Sequence, residues 1–178
     1  MKSLIRKILE YLRGEPQHLD KLIKRGLKIG KDFKRLGGVI IDPSYCYHIT
    51  IGDNVTLAPR VHILAHDAST YVFFGKTRAA NVVIGNDVFV GASSIILPGV
   101  HIGNRVIVGA GSIVTKDIPD NSVAVGNPAK VICSIDEYLA KEKAKMCTDN
   151  TFVGVGAGPV STTDAVVAAK KYGEIFVS

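Results

Sequence analysis

Residues 84–114 read IGNDVFVGASSIILPGVHIGNRVIVGAGSIV and contain the pattern that decides the fold. A branched aliphatic residue occupies every sixth position of this stretch: Ile84, Val90, Ile96, Ile102, Val108 and Val114. Glycine directly follows four of them, and a small or β-branched residue stands four positions after each of the first five. A period of six fits neither an α-helix, which repeats about every 3.6 residues, nor a long strand, which repeats about every 2. It indicates short strands separated by corners.

The repeat predicts a parallel β-solenoid with three short strands, and about 18 residues, in each coil. The same register occurs earlier at Ile51, Leu57 and Ile63, and Val39 and Tyr45 extend it towards the N-terminus. Glycine and asparagine near the corners supply the backbone freedom that branched residues lack. A β-sandwich is the alternative, but it would show hairpin turns at wider and less regular spacing.

The repeat is interrupted once in its middle. Ile63 and Ile84 are 21 residues apart, three more than a whole coil, and residues 65–81 lack the pattern. We expect this segment to be a loop extruded from the solenoid. Loops on a rigid scaffold often carry binding or catalytic residues.

Both flanks of the repeat are predicted to be helical. Apolar residues at helical spacing indicate helices over residues 3–13 and 17–28. Downstream, Ser134–Glu137 has the form of a capping box that opens a helix to about Met146, and a further helix is expected over 161–171. The predicted organisation is a basic helical segment over residues 1–35, a β-helix domain over 36–132 and a helical extension over 133–178.

Composition limits the classes of protein to be considered. The chain has 178 residues, of which 47% are hydrophobic and 21% charged, as expected for a folded domain. Three cysteines make a poor disulfide framework, and residues 1–14 have no uninterrupted apolar run, so we expect a cytoplasmic protein.

The net charge of +6 is concentrated at the N-terminus, since residues 1–35 contain eleven basic and four acidic residues. A solvated helix face explains this, and weak peripheral contact with an anionic membrane is the other interpretation. No motif for binding nucleic acid accompanies the charge.

Several motifs resemble one known family. Ile51–Val55, Val83–Gly91, Ile96–Val100 and Ile102–Asn104 are similar to the hexapeptide-repeat acyltransferases. Val108–Pro119 and Gly126–Lys130 resemble the galactoside and maltose O-acetyltransferase branch and its capsule- and O-antigen-modifying relatives. The resemblance covers roughly residues 39–132. It implies an all-β, left-handed parallel β-helix, a homotrimer with active sites between subunits, and acetyl-CoA as co-substrate.

His66 is the expected catalytic residue. It stands where the repeat breaks, as the catalytic histidine does in these relatives, and the resemblance implies that it is the general base in a direct transfer. An imidazole suits this role because its pKa lies near neutrality. Asp67, the next residue, is a candidate for orienting the ring. A structural histidine is the alternative.

The resemblance also assigns contacts with acetyl-CoA, residue by residue. The backbone N–H of Ala92 matches the position that faces the thioester carbonyl and would stabilise an oxyanion. The other matched positions are Ala58, Ala110 and Thr115 along the pantetheine arm, and Lys116 and Lys130 near the nucleotide phosphates. Lys130 and Cys133 stand where galactoside acetyltransferases carry arginine, which puts the strength of phosphate binding in doubt.

The acceptor is expected to be a sugar or a glycan precursor. Gly38 and Cys46 occupy the positions where galactoside and maltose acetyltransferases use Asn and Asp, so the acceptor should be bound differently. Three alternatives remain: an N-acetyltransferase of an amino sugar, a non-catalytic trimeric scaffold, and a metal enzyme like the γ-carbonic anhydrases. The last would use His62, His66 and His101 across a trimer interface, whereas our expectation is an enzyme without a metal.

Overall fold

The computed structural model describes residues 19–145 and the backbone of two short strands beyond them. The chain divides into two compact units, Met1–Ile135 and Asp136–Ser178. The strands of the first unit are β1 (Lys28–Ile29), β2 (Lys34–Arg35), β3 (Ile40–Ile41), β4 (Ile49–Ile51), β5 (Thr56–Leu57), β6 (His62–Ile63), β7 (His66–Asp67), β8 (Arg78–Ala79), β9 (Val82–Ile84), β10 (Val88–Val90), β11 (Ile95–Ile96), β12 (His101–Ile102), β13 (Val106–Val108), β14 (Ile113–Val114), β15 (Ser122–Val125) and β16 (Lys130–Ser134). Its helices are α1 (Leu19–Lys24), a 3₁₀ helix (Cys46–His48) and α2 (Tyr71–Phe74).

The strands form three sheets that the chain visits in turn. Sheet A has the order β1-β4-β9-β12, sheet B the order β16-β15-β13-β10-β5-β2, and sheet C the order β14-β11-β6-β3. Neighbouring strands are parallel except β15 and β16, which pair antiparallel at the end of the solenoid. This is the predicted left-handed parallel β-helix.

The core is a set of aliphatic ladders. In sheet C, Ile41, Ile63, Ile96 and Val114 stack in register, and all four are fully buried. Each buried aliphatic side chain contributes about 1.5–3 kcal/mol relative to an exposed one. The six-residue period therefore records which side chains point inward.

The register gives the size of the extruded segment. Val90 and Val108 pair across 18 residues, whereas Leu57 and Val90 pair across 33, so the segment adds 15 residues to one coil. The count of three extra residues between Ile63 and Ile84 was wrong, because these two residues lie on different faces of the same coil, in β6 and β9.

The first coil also differs from the prediction. Ile41 pairs with Ile63 across 22 residues, because the 3₁₀ helix Cys46–His48 is inserted between β3 and β4. The extension of the register to Val39 and Tyr45 was therefore wrong. Ile41 occupies the repeat position, and Tyr45 lies outside the strands.

The boundary of the N-terminal helical segment needs correction as well. Helix α1 lies within the predicted helix 17–28 but ends at Lys24, and β1 begins at Lys28. Gly26, with φ at +105°, turns the chain, and Leu27 is buried in the core. The solenoid thus starts inside the segment 1–35 that was predicted to be helical.

The C-terminal end agrees with the sequence where the structure describes it. Helix α3 spans Ile135–Lys145, which confirms the helix predicted to begin at the Ser134 capping box. In the second unit, β17 (Thr151–Phe152) pairs parallel with β18 (Phe176–Val177). The helices predicted over 3–13 and 161–171 lie outside the described residues. Among the residues that are described, no helix is long and apolar enough to span a membrane.

Candidate active site

His66 lies at the neck of the extruded segment. Strands β7 and β8 pair antiparallel, with His66 opposite Ala79, and the N–H of Ala80 donates to the carbonyl of Ala65 at 3.0 Å. Helix α2 forms the far end of this excursion. The extruded loop predicted over residues 65–81 is confirmed, and its neck holds His66 on ordered backbone.

The imidazole of His66 is hydrogen-bonded to Asp42. His66 Nδ1 contacts Asp42 Oδ2, which also accepts the N–H of Ala65 at 3.0 Å. Asp42 Oδ1 accepts the N–H groups of Ser44 at 3.0 Å and Tyr45 at 3.1 Å. The Asp42 side chain is completely buried. It is the residue that sequence reasoning missed, because it is 24 positions from His66.

These hydrogen bonds keep Asp42 charged. Burial raises the pKa of the Asp42 carboxyl, but the bonds from His66 and from the N–H groups of Tyr45, Ala65 and Ser44 together hold it below its ordinary value. An ionised carboxylate can only accept hydrogen bonds, so Nδ1 of His66 must carry the proton. Nε2 then carries the lone pair that a general base requires.

Asp67 does not orient the ring, contrary to the suggestion from sequence. Its Oδ1 accepts the N–H of Ser69 at 2.8 Å. Hydrogen bonds from the backbone and side chain of Ser69 lower the pKa of the Asp67 carboxyl, with a smaller contribution from the charge of Arg78. Asp67 therefore caps the turn into the extruded loop.

Tyr45 holds the other side of the histidine ring. The two rings stack with centroids 4.6 Å apart and planes 28° apart. Tyr45 itself packs against the hydrophobic core. The His66 side chain keeps 32% of its surface exposed, so the ring is fixed by Asp42 and Tyr45 and still reachable from solvent.

A groove of about 720 Å³ opens beside His66. Its lining comes from three successive coils and includes Leu64, His66, Asp67, Arg78, Leu97, Pro98, Gly99, Thr115, Lys116 and Asp117. The structure thus brings Thr115 and Lys116 together with His66. Arg78, which sequence analysis did not single out, adds a second cation, and its Nη2 approaches the carbonyl of Pro98 at 3.4 Å.

The other predicted contacts of acetyl-CoA lie at a different corner of the prism, between sheets B and C. Ala58, Ala92 and Ala110 follow β5, β10 and β13, while Lys130 begins β16. The carbonyl of Ala92 accepts the N–H of Gly111 at 2.8 Å, and its own N–H has no acceptor in the part of the chain that the structure describes. One chain alone does not bring these four residues to the groove.

Two positions named for the acceptor are also displaced from the groove. Cys46 is buried, with Sγ 3.6 Å from the carbonyl of Leu22 in α1. Gly38 precedes β3, and a side chain there would meet Arg60. The replacement of the Asn and Asp found in relatives therefore leaves the lining of this groove unchanged.

The histidines of the metal alternative are separated within one chain. His62 lies in β6 of sheet C and His101 in β12 of sheet A. Among the described residues no three His, Cys, Asp or Glu side chains are grouped as a metal site.

Comparisons with known proteins agree with this geometry. The family model described as bacterial transferase hexapeptide (six repeats) matches residues 81–116. Protein CapG of Staphylococcus aureus is 45% identical over 149 residues, which is 79% of this chain and 83% of CapG. Galactoside O-acetyltransferase of Escherichia coli K12 is 41% identical over 118 residues, covering 62% of this chain and 55% of that enzyme.

Two solved structures share the fold. A maltose O-acetyltransferase from Clostridium difficile 630 superposes with a TM-score of 0.55 at 34% identity, over 72% of this chain and 83% of the other. The hexapeptide-repeat acetyltransferase VCA0836 from Vibrio cholerae, complexed with acetyl coenzyme A, gives 0.56 at 28% identity, over 62% and 61%. On its repeat, its β-helix and these relatives, the chain belongs to the hexapeptide-repeat acetyltransferase family.

Proposed function

We propose that this chain transfers the acetyl group of acetyl-CoA to a hydroxyl of a sugar or polysaccharide precursor, with His66 as general base. One observation carries the proposal: the buried, ionised Asp42 fixes His66 in the tautomer that accepts a proton at Nε2, beside an open groove. The similarity to galactoside and maltose O-acetyltransferases supports a sugar as acceptor.

The chemistry needs no covalent enzyme intermediate. The acceptor oxygen attacks the thioester carbonyl carbon while Nε2 of His66 takes the hydroxyl proton. The tetrahedral oxyanion collapses, the C–S bond breaks, and the products are an acetyl ester and CoA thiolate. The thiolate is a good leaving group, since a thiol has a pKa of about 8.5, and it regains a proton from the imidazolium.

Charge in the groove supports acetyl-CoA as the acetyl donor. Lys116 and Arg78 both line it, and such cations form strong hydrogen bonds with phosphate oxygens. The match to an acetyl-CoA-bound relative points the same way.

The division of the predicted contacts between two corners supports a homotrimer. Sheet C separates the groove at Thr115 from Ala92 and Ala110. A strand rises about 3.3 Å per residue, so the five residues from Ala92 to Leu97 span up to about 17 Å. If two chains meet along this face, the groove of one lies beside Ala92 of the other. We propose that the complete site forms there.

We also propose a cytoplasmic location. Both cysteines in the described part of the chain, Cys46 and Cys133, are free thiols, as is usual in a reducing compartment.

Release of the CoA thiol tests the proposal. Wild type, His66→Ala and His101→Ala would be assayed with acetyl-CoA and a panel of sugars and amino sugars. His101 is a matched control because it is an exposed histidine on sheet A, away from the groove. We expect acceptor-dependent release that falls by about 10² or more in His66→Ala and is unchanged in His101→Ala, with CoA binding by calorimetry retained in all three.

Other results would redirect the assignment. Equal rates in wild type and His66→Ala would exclude His66 as the base. A clear preference for amino sugars acetylated on nitrogen would identify an N-acetyltransferase. Absence of both turnover and CoA binding would favour a non-catalytic scaffold.

A further inference from the structure

A row of aromatic rings leads away from His66 on the side opposite the groove residues of the later coils. From Tyr45, stacked on His66, the row continues to Tyr47 with centroids 6.1 Å apart, and from Tyr47 to His48 at 4.7 Å. Exposure increases along the row, since Tyr45 packs on the core while Tyr47 is 52% exposed. We call Tyr47 and His48 the outer aromatic surface.

The outer aromatic surface is held rigidly. Cys46, between the two tyrosines, is buried against α1. The Cβ of Tyr47 packs so closely on Gly26 that a side chain at Gly26 would lie 2.8 Å from it. His48 Nδ1 is 2.6 Å from Asn81 Oδ1, which ties the 3₁₀ helix to the end of the extruded segment. A preorganised surface loses little conformational entropy when it binds a ligand.

Its chemistry suits a pyranose ring. The face of an aromatic ring is electron-rich, and the C–H groups on one face of a pyranose make weak favourable contacts with such a surface. Because Asn81 Oδ1 accepts from His48 Nδ1, Nε2 of His48 is left as an acceptor for a sugar hydroxyl. One ring and one acceptor, side by side, match the apolar face and polar rim of a sugar.

Tyr45 separates this surface from the base. It makes ring contacts with both Tyr47 and His66, whereas no ring contact joins Tyr47 to His66 in the described structure. A sugar ring stacked on Tyr47 is therefore not the ring whose hydroxyl reaches Nε2 of His66. The steps along the row are comparable with the length of one pyranose unit.

We propose that Tyr47 and His48 form a second sugar subsite, which binds the pyranose ring next to the one that is acetylated. This inference rests on the proposed sugar O-acetyltransferase activity and specifies its substrate class: a saccharide of two or more rings. The first ring lies at His66, and the second stacks on Tyr47 with a hydroxyl donating to His48.

Kinetics with matched acceptors test the subsite. The probes are glucose, maltose and maltotriose, and galactose and lactose. With wild type we expect kcat/KM to rise about tenfold from one ring to two. Tyr47→Ala should remove this gain through a higher KM for the two-ring acceptors, without changing the one-ring rate. Tyr47→Phe, which keeps the ring, should retain the gain, and so should Leu139→Ala, an exposed apolar side chain in α3.

Saturation-transfer NMR with maltose and lactose separates this proposal from the activity itself. Transfer to the protons of both rings, lost for one ring in Tyr47→Ala and kept in Tyr47→Phe, would support the subsite even if no thiol were released. Turnover that is the same for one and two rings in wild type and Tyr47→Ala would overturn the subsite and leave the acetyltransferase standing. No transfer and no turnover with any of the five sugars would overturn the subsite too.

Discussion

At the scale of single residues, the site depends on how Asp42 is solvated by the protein. Three backbone N–H groups and His66 replace the water that a buried carboxylate would lose. Such a carboxylate stabilises the imidazolium that forms when His66 takes a proton, and it fixes which ring nitrogen is the base. Asp42 therefore acts through His66 and is a positioning residue.

Asp42→Asn should lower kcat far more than it changes KM. The amide would offer an N–H to Nδ1 of His66 and favour the tautomer whose Nε2 is already protonated, so the base is lost. Changes of this kind reduce kcat by up to about 10⁴. Steady-state kinetics with a good acceptor measure it, and Asp87→Asn, which removes a carboxylate at a remote corner, should change kcat little. A kcat within about twofold of wild type in Asp42→Asn would contradict the role.

The pH dependence of stability gives an independent readout of the same carboxylate. The pKa of Asp42 is lower in the folded chain than in the unfolded one. Its contribution is then fully present above the unfolded value of about 3.9 and is lost as the pH falls through the lower folded value. Thermal unfolding from pH 2 to 7 should show a shallower loss below about pH 4 in Asp42→Asn than in wild type. Parallel profiles would show that Asp42 titrates normally.

At the scale of the coil, glycines set how closely the coils stack. A Cβ added to Gly85 would lie 2.7 Å from the carbonyl oxygen of Gly103 in the next coil, whereas one at Gly37 would have nothing within 4 Å. The first site has no room for a methyl group, and the second is open.

Gly85→Ala should therefore destabilise the fold by about 1–3 kcal/mol, as overpacking does. Gly37→Ala should change stability by no more than about 0.5–1 kcal/mol, because it adds no clash and stiffens the unfolded chain. Chemical denaturation of both variants measures the difference. If Gly85→Ala unfolds at the same denaturant concentration as Gly37→Ala, the spacing of the coils is not set by this glycine.

The sequence predicted those coils that keep the 18-residue spacing. From Ile84 to Val114 every inward position repeats after six residues, so the strands and their faces could be assigned. The first coil could not, because the insertion at Cys46–His48 shifts its register by four residues. Asp42 was missed for a related reason: its contact with His66 crosses from one coil to the next, and no local pattern marks it.

At the scale of the whole molecule, the three outer faces differ in polarity. The outward column of sheet C consists of Ile40, His62, Ile95 and Ile113, in register from β3 to β14. The outward column of sheet A is Lys28, Thr50, Val83 and His101. Apolar side chains on an outer face favour contact with another chain, so sheet C is the face that we expect to meet a neighbouring subunit.

Light scattering after gel filtration should give a mass three times the 19.0 kDa of one chain. Ile95→Lys should shift the protein towards the monomer, since a charge in the middle of an apolar interface loses its hydration without gaining a partner. Val83→Lys, the same change at the centre of sheet A, should leave the trimer intact. Because the residues predicted to bind acetyl-CoA are divided between two corners of the prism, Ile95→Lys should also lose thiol release in parallel with the trimer. A monomeric Ile95→Lys with full activity would show that one chain forms the complete site, and a monomeric wild type would overturn the assembly.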